Sequence, residues 1–383
     1  MHLVVISHKL CWPSLASPSG YATDGGFPVQ MEAISELFSS TTLVMPCAGR
    51  ESDGGVKSLV GNNLSVKPLA AFSGHFGRKF SLLWWLIRSS PSIIREIGRA
   101  DAVHVPIPSN IGTIGMLFGF CLRKPLLIRH CGNWFVQRTS AERFWKWFME
   151  RFAGGRNVML ATGGHADPPS PRNPNVNWIF STSLRERDLK ALECSLEKDS
   201  QEHVRLIIAC RQEVDKGTGR VIESLPLILN DFPQATLDVI GDGSALPAFK
   251  ELAAGLNVSD RVTFHGKVDQ PSVVNLLRQA DLFCYPTAAS EGFPKVVLEA
   301  LACGLPVITT RVSVLPQLIG NGCGVLLEEN TGAAMARAVC EVLSDREVYS
   351  RMSAQARETA RHYSLERWRD QIGERLRLAW GNL

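Results

Sequence analysis

Arg211 and Lys216 bracket a short polar stretch, RQEVDK, that follows the apolar run RLIIA and ends at Gly217, where a helical pattern begins. Two cations beside a helix N-terminus form a site for a diphosphate, because the helix dipole and its unsatisfied N–H groups add to their charge. The same loop suits a solvated turn. Gly241-Asp242-Gly243, after ATLDVI, is a second tight turn; glycines there serve close approach to a ligand or a plain strand-to-helix reversal. The most specific stretch is EGFPKVVLEALACG, from Glu291 to Gly304. Pro294 suits the first helical position and Gly304 the end, so Glu291 falls in the loop at the positive end of a helix and Glu299 lies five residues inside it. A carboxylate accepts hydrogen bonds from two hydroxyls at once. One Glu could hold a sugar and the other a ribose, with a diphosphate between them at the helix N-terminus. The alternative makes Glu291 a capping charge and Glu299 a solvated helix residue. Against it, Val296, Val297, Leu298, Ala300, Leu301 and Ala302 make this helix apolar nearly all round, and a carboxylate in a buried helix needs a partner.

These residues need strands and helices to hold them, and the pattern of the chain supplies both. Short β-branched runs alternate with longer amphipathic stretches, the signature of parallel sheets covered by helices. In the first half strands are predicted at Leu3–Ser7, Thr42–Met45, Ala102–Val105, Pro125–His130 and Val176–Phe180, and helices at Pro28–Phe38, Arg78–Arg88, Ile111–Leu122 and Ala141–Phe152. The proline-rich loop Asp167–Asn175 and the charged segment Arg185–His203 suggest a domain boundary near residue 185. In the second half, strands at Val204–Ala209, Ala235–Ile240, Val262–His265, Asp281–Tyr285, Pro306–Thr309 and Gly324–Leu327 alternate with helical stretches into a complete doubly wound unit. Such sheets bind ligands beyond the carboxyl ends of their strands, and the candidate residues all follow strands.

With 383 residues, 45% apolar and 20% charged, the chain is expected to fold as two α/β domains, 1–185 and 186–383, the last helix being free to cross back to the first. MHLVVISHKL reads as a buried first strand rather than an export signal, and no apolar run reaches the ~20 residues that span a bilayer. Ten cysteines without a CxxC pair or metal-ligand spacing read as small buried hydrophobes of a reducing compartment. A cytoplasmic location is expected. Residues 1–185 carry 19 Lys and Arg against 10 Asp and Glu, a basic half that suits either an anionic partner or a solubilising surface. RKFSLLWWLIR at 78–88 and ERFWKWFMER at 142–151 mix aromatics with cations, which fits peripheral contact with the inner face of an anionic membrane or, equally, packing in the core.

Taken in order, Arg211, Lys216-Gly217, the IGDG turn, VTFHG, ADLFCYPT, EGFPKVVLEALACG and GLPVITT make residues 204–330 resemble the retaining GT-B glycosyltransferases of family 4. That resemblance implies two Rossmann-like doubly wound domains facing a cleft, the first on the acceptor side and the second binding a nucleoside-diphosphate sugar. It implies that Arg211 and Lys216 contact the donor diphosphate, that Gly241 belongs to the donor site, that Glu291 holds the transferred sugar, that Glu299 holds the ribose, and that Gly292, Phe293 and Pro294 shape the site next to the sugar. Gly25 and Gly26 are similar to the glycine pair that approaches the diphosphate from the first domain, and His130 stands where the family carries a His near the sugar; on the residues alone His8 and His104 also end strands. The family usually has Gly where Cys210 stands and Glu where Gln317 stands.

The resemblance further implies a hexosyl transfer with retention to a glycan or lipid-linked saccharide, in polysaccharide or glycoconjugate synthesis. No cofactor, no metal and no nucleic-acid partner is expected, since no metal-ligand cluster or paired aspartates appear in the sequence; Arg211, Lys216 and the helix at Pro294 would carry the leaving-group charge. The competing readings are a nucleotide-sugar epimerase or hydrolase on the same architecture, and a non-catalytic binding protein. The last would be marked by loss of Arg211, Lys216, Glu291 or Glu299, and all four are present.

Overall fold

A computed structural model describes residues 1–50, 52, 54–71, 78–193, 203–290 and 292–383, with backbone alone at 78–84, 86 and 193. Its contacts divide the chain into two units: Met1–Ser183 with Leu365–Leu383, and Leu184–Ser364. The division falls two residues before residue 185, and the last helix counts with the first unit.

The first unit runs β1 (His2–Ile6), β2 (Cys11–Pro13), β3 (Tyr21–Asp24), α1 (Phe27–Ser35), β4 (Ser40–Cys47), β5 (Val56–Ser58), β6 (Leu64–Ala70), α2 (Arg78–Arg99), β7 (Ala102–Ile107), α3 (Asn110–Cys121), β8 (Leu126–His130), α4 (Ser140–Phe152), β9 (Asn157–Thr162) and β10 (Val176–Ile179). Its parallel strands lie in the order β10-β9-β8-β7-β1-β4-β6, and β2, β3 and β5 extend the sheet from β4 as a small antiparallel flap. Strand order reverses between β1 and β7, so the loops leaving these two strands diverge. Both faces of the sheet are covered, which is why its strands read as continuous apolar runs rather than alternating ones.

The second unit runs α5 (Glu186–Glu193), β11 (Arg205–Ala209), α6 (Thr218–Asp231), β12 (Thr236–Ile240), α7 (Leu246–Gly255), β13 (Val262–Gly266), α8 (Gln270–Gln279), β14 (Leu282–Tyr285), α9 (Lys295–Ala302), β15 (Val307–Thr310), α10 (Leu315–Ile319), β16 (Gly324–Leu327), α11 (Gly332–Ser344) and α12 (Arg346–Arg361). The order β13-β12-β11-β14-β15-β16 is wholly parallel, the doubly wound order with its switch point between β11 and β14. One core packs α6, α7 and α11 on one face through Val221, Leu225, Phe249 and Met335; the other packs α8, α9, α10 and α12 through Leu277, Leu298, Leu318 and Ala356. The chain then returns to the first unit as α13 (Leu365–Trp380).

Two glycines set how closely the loops at the switch point can lie. Gly217 has φ +90°, and a Cβ on it would stand 2.2 Å from the Pro286 carbonyl oxygen; at Gly241, φ +114°, it would stand 1.9 Å from that of Cys210. The loops after β11, β12 and β14 touch because these side chains are missing. Gly241→Ala combines a left-handed backbone with a clash against backbone that cannot swing away, and is expected to lower unfolding stability by about 2–4 kcal/mol, read from urea unfolding. A variant as stable as the parent would show that the three loops are not so tightly fixed.

Candidate functional site

At the carboxyl ends of β11 and β14 the sequence needs a rigid floor, and Gln212 provides it. Its side chain is fully buried. Nε2 donates to the carbonyl oxygens of Cys210 (3.1 Å) and Ile240 (2.8 Å), and Oε1 accepts from Thr218 Oγ1 at 2.7 Å. Its main chain bonds Asp242 and Ala245 as well, at 3.0 Å each. One residue therefore ties the end of β11 to the loop after β12 and to the start of α6. Nothing in the sequence marks it, since four of these five partners are main-chain groups that carry no residue signature.

Around that floor the loop carrying Lys216 is bound to the one after β14. The Asp215 carbonyl accepts from the amides of Ala288 (2.8 Å) and Ala289 (3.2 Å) and from Thr287 Oγ1 (3.2 Å). Thr309 and Thr310 hold the other side of the same loop through the carbonyls of Tyr285 and Thr287. Lys216 ends a short 3-10 turn, Val214–Lys216, directly before the left-handed Gly217 that caps α6. Arg211 is exposed beside it. Glu213 lies near Arg211, and its carboxyl is held below the usual range by the hydrogen bonds of Ser244, with Arg211 adding a smaller effect. Arg211 and Lys216 thus both lie in the loop that leaves β11 at the switch point.

The helix that was expected to open at Pro294 opens one residue later, at Lys295, with Pro294 as its N-cap. Gly292 is buried before it, and the Phe293 ring lies 5.7 Å from that of Tyr363 in a tilted pair. Glu291, the residue assigned to the sugar, lies outside the described residues. Glu299 is half-buried in α9, and its Oε1 accepts from Gln270 Nε2 on α8 at 3.2 Å. The carboxylate in an apolar helix does have a polar neighbour, as its setting required.

In the first unit, β8 ends at His130, which is 2% exposed. Burial, the largest effect, brings its pKa down to about 4, so the imidazole is neutral near pH 7. Its ring meets Trp134 edge-on at 5.3 Å, and Nδ1 has no hydrogen-bond partner within the protein. His104, fully buried on β7, is held at about 3 by burial and then by the nearby Arg129 charge; its Nδ1 bonds the Leu127 carbonyl at 2.9 Å. His8 is exposed on the loop after β1. Gly25 is left-handed at φ +71°, next to the Lys9–Asp24 pair (2.8 Å), and Gly26 is the N-cap of α1. Among the described residues no three His, Cys, Asp or Glu side chains gather as a metal-binding group.

Residues 195–359 match the family described as glycosyl transferases group 1. N-Acetyl-alpha-D-glucosaminyl L-malate synthase of Bacillus anthracis is 32% identical over 184 residues, covering 48% of this chain and 47% of that protein. D-Inositol 3-phosphate glycosyltransferase of Rhodococcus jostii is 31% identical over 52% of this chain and 46% of its own length. The chain thus spans about half the length of the curated relatives it matches. Among solved structures, Anabaena HepE, crystallised with UDP and glucose, superposes with a TM-score of 0.68 at 16% identity over 98% of this chain and 99% of that one. Sucrose-phosphate synthase of Thermosynechococcus elongatus does so with a TM-score of 0.68 at 18% identity, over 99% and 98%. At these identities the likeness is one of fold, the GT-B fold.

The buried His130 generates a pH prediction. Its folded pKa lies below the unfolded value of 6.5, so the unfolded chain takes up protons that the folded chain refuses. The resulting stability is complete above pH 6.5 and is lost as pH falls toward 4, by up to ~3 kcal/mol. His130→Gln should flatten that decline in urea midpoints taken between pH 7 and pH 4.5. An unchanged slope would mean that His130 is not the buried neutral group described.

Proposed function

With a group 1 glycosyltransferase domain on a GT-B fold, the chain is, we propose, a retaining glycosyltransferase that moves a sugar from a nucleoside-diphosphate sugar to a glycan or lipid-linked saccharide acceptor. The observation that carries this reading is the placement of Arg211, Lys216 and the approach to α9 on the loops that leave the two strands flanking the switch point of the second unit. Ligands of doubly wound sheets bind at that point, and a diphosphate is the chemistry that two cations and a helix N-terminus serve. Related structures point the same way, since HepE was solved with UDP and with UDP-glucose.

In this reading the acceptor hydroxyl attacks the anomeric carbon from the leaving-group side, the bond from that carbon to the phosphate oxygen breaks, and the departing diphosphate takes the acceptor proton. Arg211, Lys216 and α9 stabilise the negative charge that develops on the leaving group, without a metal or another cofactor. Gly241 lets the loop after β12 lie against the β11 loop that carries Arg211. Glu299 bonds the ribose, and Glu291, with Gly292, Phe293 and Pro294 beside it, holds the transferred sugar. From the first unit, Gly25 and Gly26 approach the diphosphate. The neutral His130 orients the sugar rather than serving as a strong base, in keeping with its lowered pKa.

A membrane-side acceptor is favoured by a patch on α3 and α4. Trp147 is 51% exposed, Leu117, Phe120 and Leu122 at the end of α3 are exposed as well, and Arg123, Arg143 and Arg151 lie nearby in sequence. Phe152 meets the Trp147 ring edge-on at 5.9 Å and packs with Phe120 and Phe148 through tilted and edge-on ring contacts. Exposed aromatics among cations suit the headgroup region of anionic lipid. Trp85 and Phe148, by contrast, are buried in the core, so the earlier expectation narrows to Trp147 and its neighbours; Trp84 lies outside the described side chains. No helix among the described residues is long and apolar enough to cross a membrane.

Arg211→Ala and Lys216→Ala should each weaken nucleoside-diphosphate binding by about 1.5–3 kcal/mol in calorimetry. Glu299→Gln should weaken free diphosphate and sugar donor alike, whereas Glu291→Gln should spare the free diphosphate and lower turnover, with activity persisting in excess chelator. Intact diphosphate affinity in both cation variants would place the phosphates elsewhere. For the membrane, Trp147→Ala combined with Arg143→Ala should reduce co-sedimentation with vesicles of phosphatidylglycerol about tenfold while leaving binding of the diphosphate unchanged. Equal sedimentation would remove α4 from the lipid contact.

A further inference from the structure

Beneath α13 the first unit buries a cation that has no counter-charge among the described residues. Arg129, on β8 one residue before His130, is 3% exposed. Its Nη2 donates to Gln30 Oε1 at 3.0 Å, while Nε and Nη1 have no hydrogen-bond partner within the protein. Among the described residues no carboxylate lies within ion-pair distance of it, and its guanidinium lies instead over the Trp368 ring, 4.8 Å from the centroid. Arginine cannot shed its proton to escape this setting, and a desolvated charge costs several kcal/mol unless it is paired. The cation–π contact offsets part of that cost and satisfies none of the remaining N–H groups.

The polar atoms around it are orphaned in the same way. Trp368 Nε1, His104 Nε2 and Thr162 Oγ1 are buried without partners, and all belong to this unit. Trp368 is in contact with Arg129, and His104 lies close enough to be held neutral in part by the Arg129 charge. Strand alternation puts Thr162, two residues beyond the register partner Leu160 of Arg129, on the same face of the sheet. Arg129 Nε and Nη1, Trp368 Nε1 and the Thr162 hydroxyl are N–H and O–H donors; water could satisfy them but would leave the charge unbalanced.

We propose that this layer between β7, β8, β9 and α13 is a binding site for a small inorganic monoanion, chloride being its simplest occupant, which pairs with Arg129 and ties α13 to the sheet. The site is separate from the sugar-nucleotide reading, since it draws on none of the residues assigned there to the donor or to the transferred sugar. It makes α13 docking dependent on the anion: the anion binds the folded unit and not the unfolded chain, so it raises stability by mass action.

The test compares the full chain in potassium chloride and in potassium gluconate at equal ionic strength, gluconate being too large for a closed interior site. Native protein should melt about 2–4 °C higher in chloride. Arg129→Met should abolish that difference, and Trp368→Phe, which keeps the ring and removes only the N–H, should reduce it. Because Arg129→Met could fail to fold, crystals of the native chain grown in bromide give an independent reading: an anomalous peak against Arg129 Nε and Nη1 is expected. Equal melting in both salts, a difference that survives Trp368→Phe and Arg129→Met, or ordered water alone at Arg129 would overturn the proposal.

Discussion

Everything at the candidate site depends on how closely three loops of the second unit approach one another. Parallel strands bring the carboxyl ends of β11, β12 and β14 to one edge, but strands 4.8 Å apart do not by themselves bring their loops into contact. Gly217 and Gly241 remove the side chains that would hold the loops apart, and Gln212 then fastens them with hydrogen bonds to main-chain groups. The cations Arg211 and Lys216 sit on this frame without shaping it. A frame locked by buried backbone contacts keeps charged side chains in place at little entropic cost when a ligand arrives, which is what preorganised charge requires.

The two units share a topology and differ in what they bury. The second is apolar on both faces of its sheet, with Glu299 and Asp238 among the few charges it encloses in part; Asp238 is bonded by Arg205 at 3.0 Å and His265 at 2.7 Å. The first packs an apolar core under α2, α3 and α4, and on the opposite face, among buried apolar side chains such as Leu127, Leu160 and Ile372, it also encloses Gln30, His104, Arg129 and Thr162. Gln30 joins that face to the exit of the unit, since its Nε2 donates to the Thr182 carbonyl at 2.8 Å. The end of β8, the helix after Gly25-Gly26 and the chain leaving for the second unit are thereby held through one side chain.

Much of the second unit was legible because its strands are short apolar runs punctuated by glycine and proline, and all six strand positions read from the sequence appear within two residues of those observed. The first unit was less legible. β2, β3, β5 and β6 were not expected: the first three are brief, β6 is largely exposed, and Pro13 and Pro68 interrupt the pattern of β2 and β6. β9, NVMLAT, was passed over although it is apolar, its six residues lying between a helix and a proline-rich loop. α5 occupies a stretch that reads as charged linker. At the site, charged residues could be found by type, whereas Gln212, Thr287 and the Asp215 carbonyl act through main-chain geometry that exists only after folding.

The return of α13 to the first unit also sets an order of events during synthesis. Trp368, Ile372 and Leu376 are fully buried in that unit, and Trp380 reaches back to donate to the Arg156 carbonyl at 2.8 Å. The unit that is translated first therefore cannot complete its core until the whole of the second has left the ribosome. Until then the face that will enclose Arg129 stands open to water, and a nascent chain stalled before residue 365 would carry one finished domain and one unfinished, in the reverse of their order along the message.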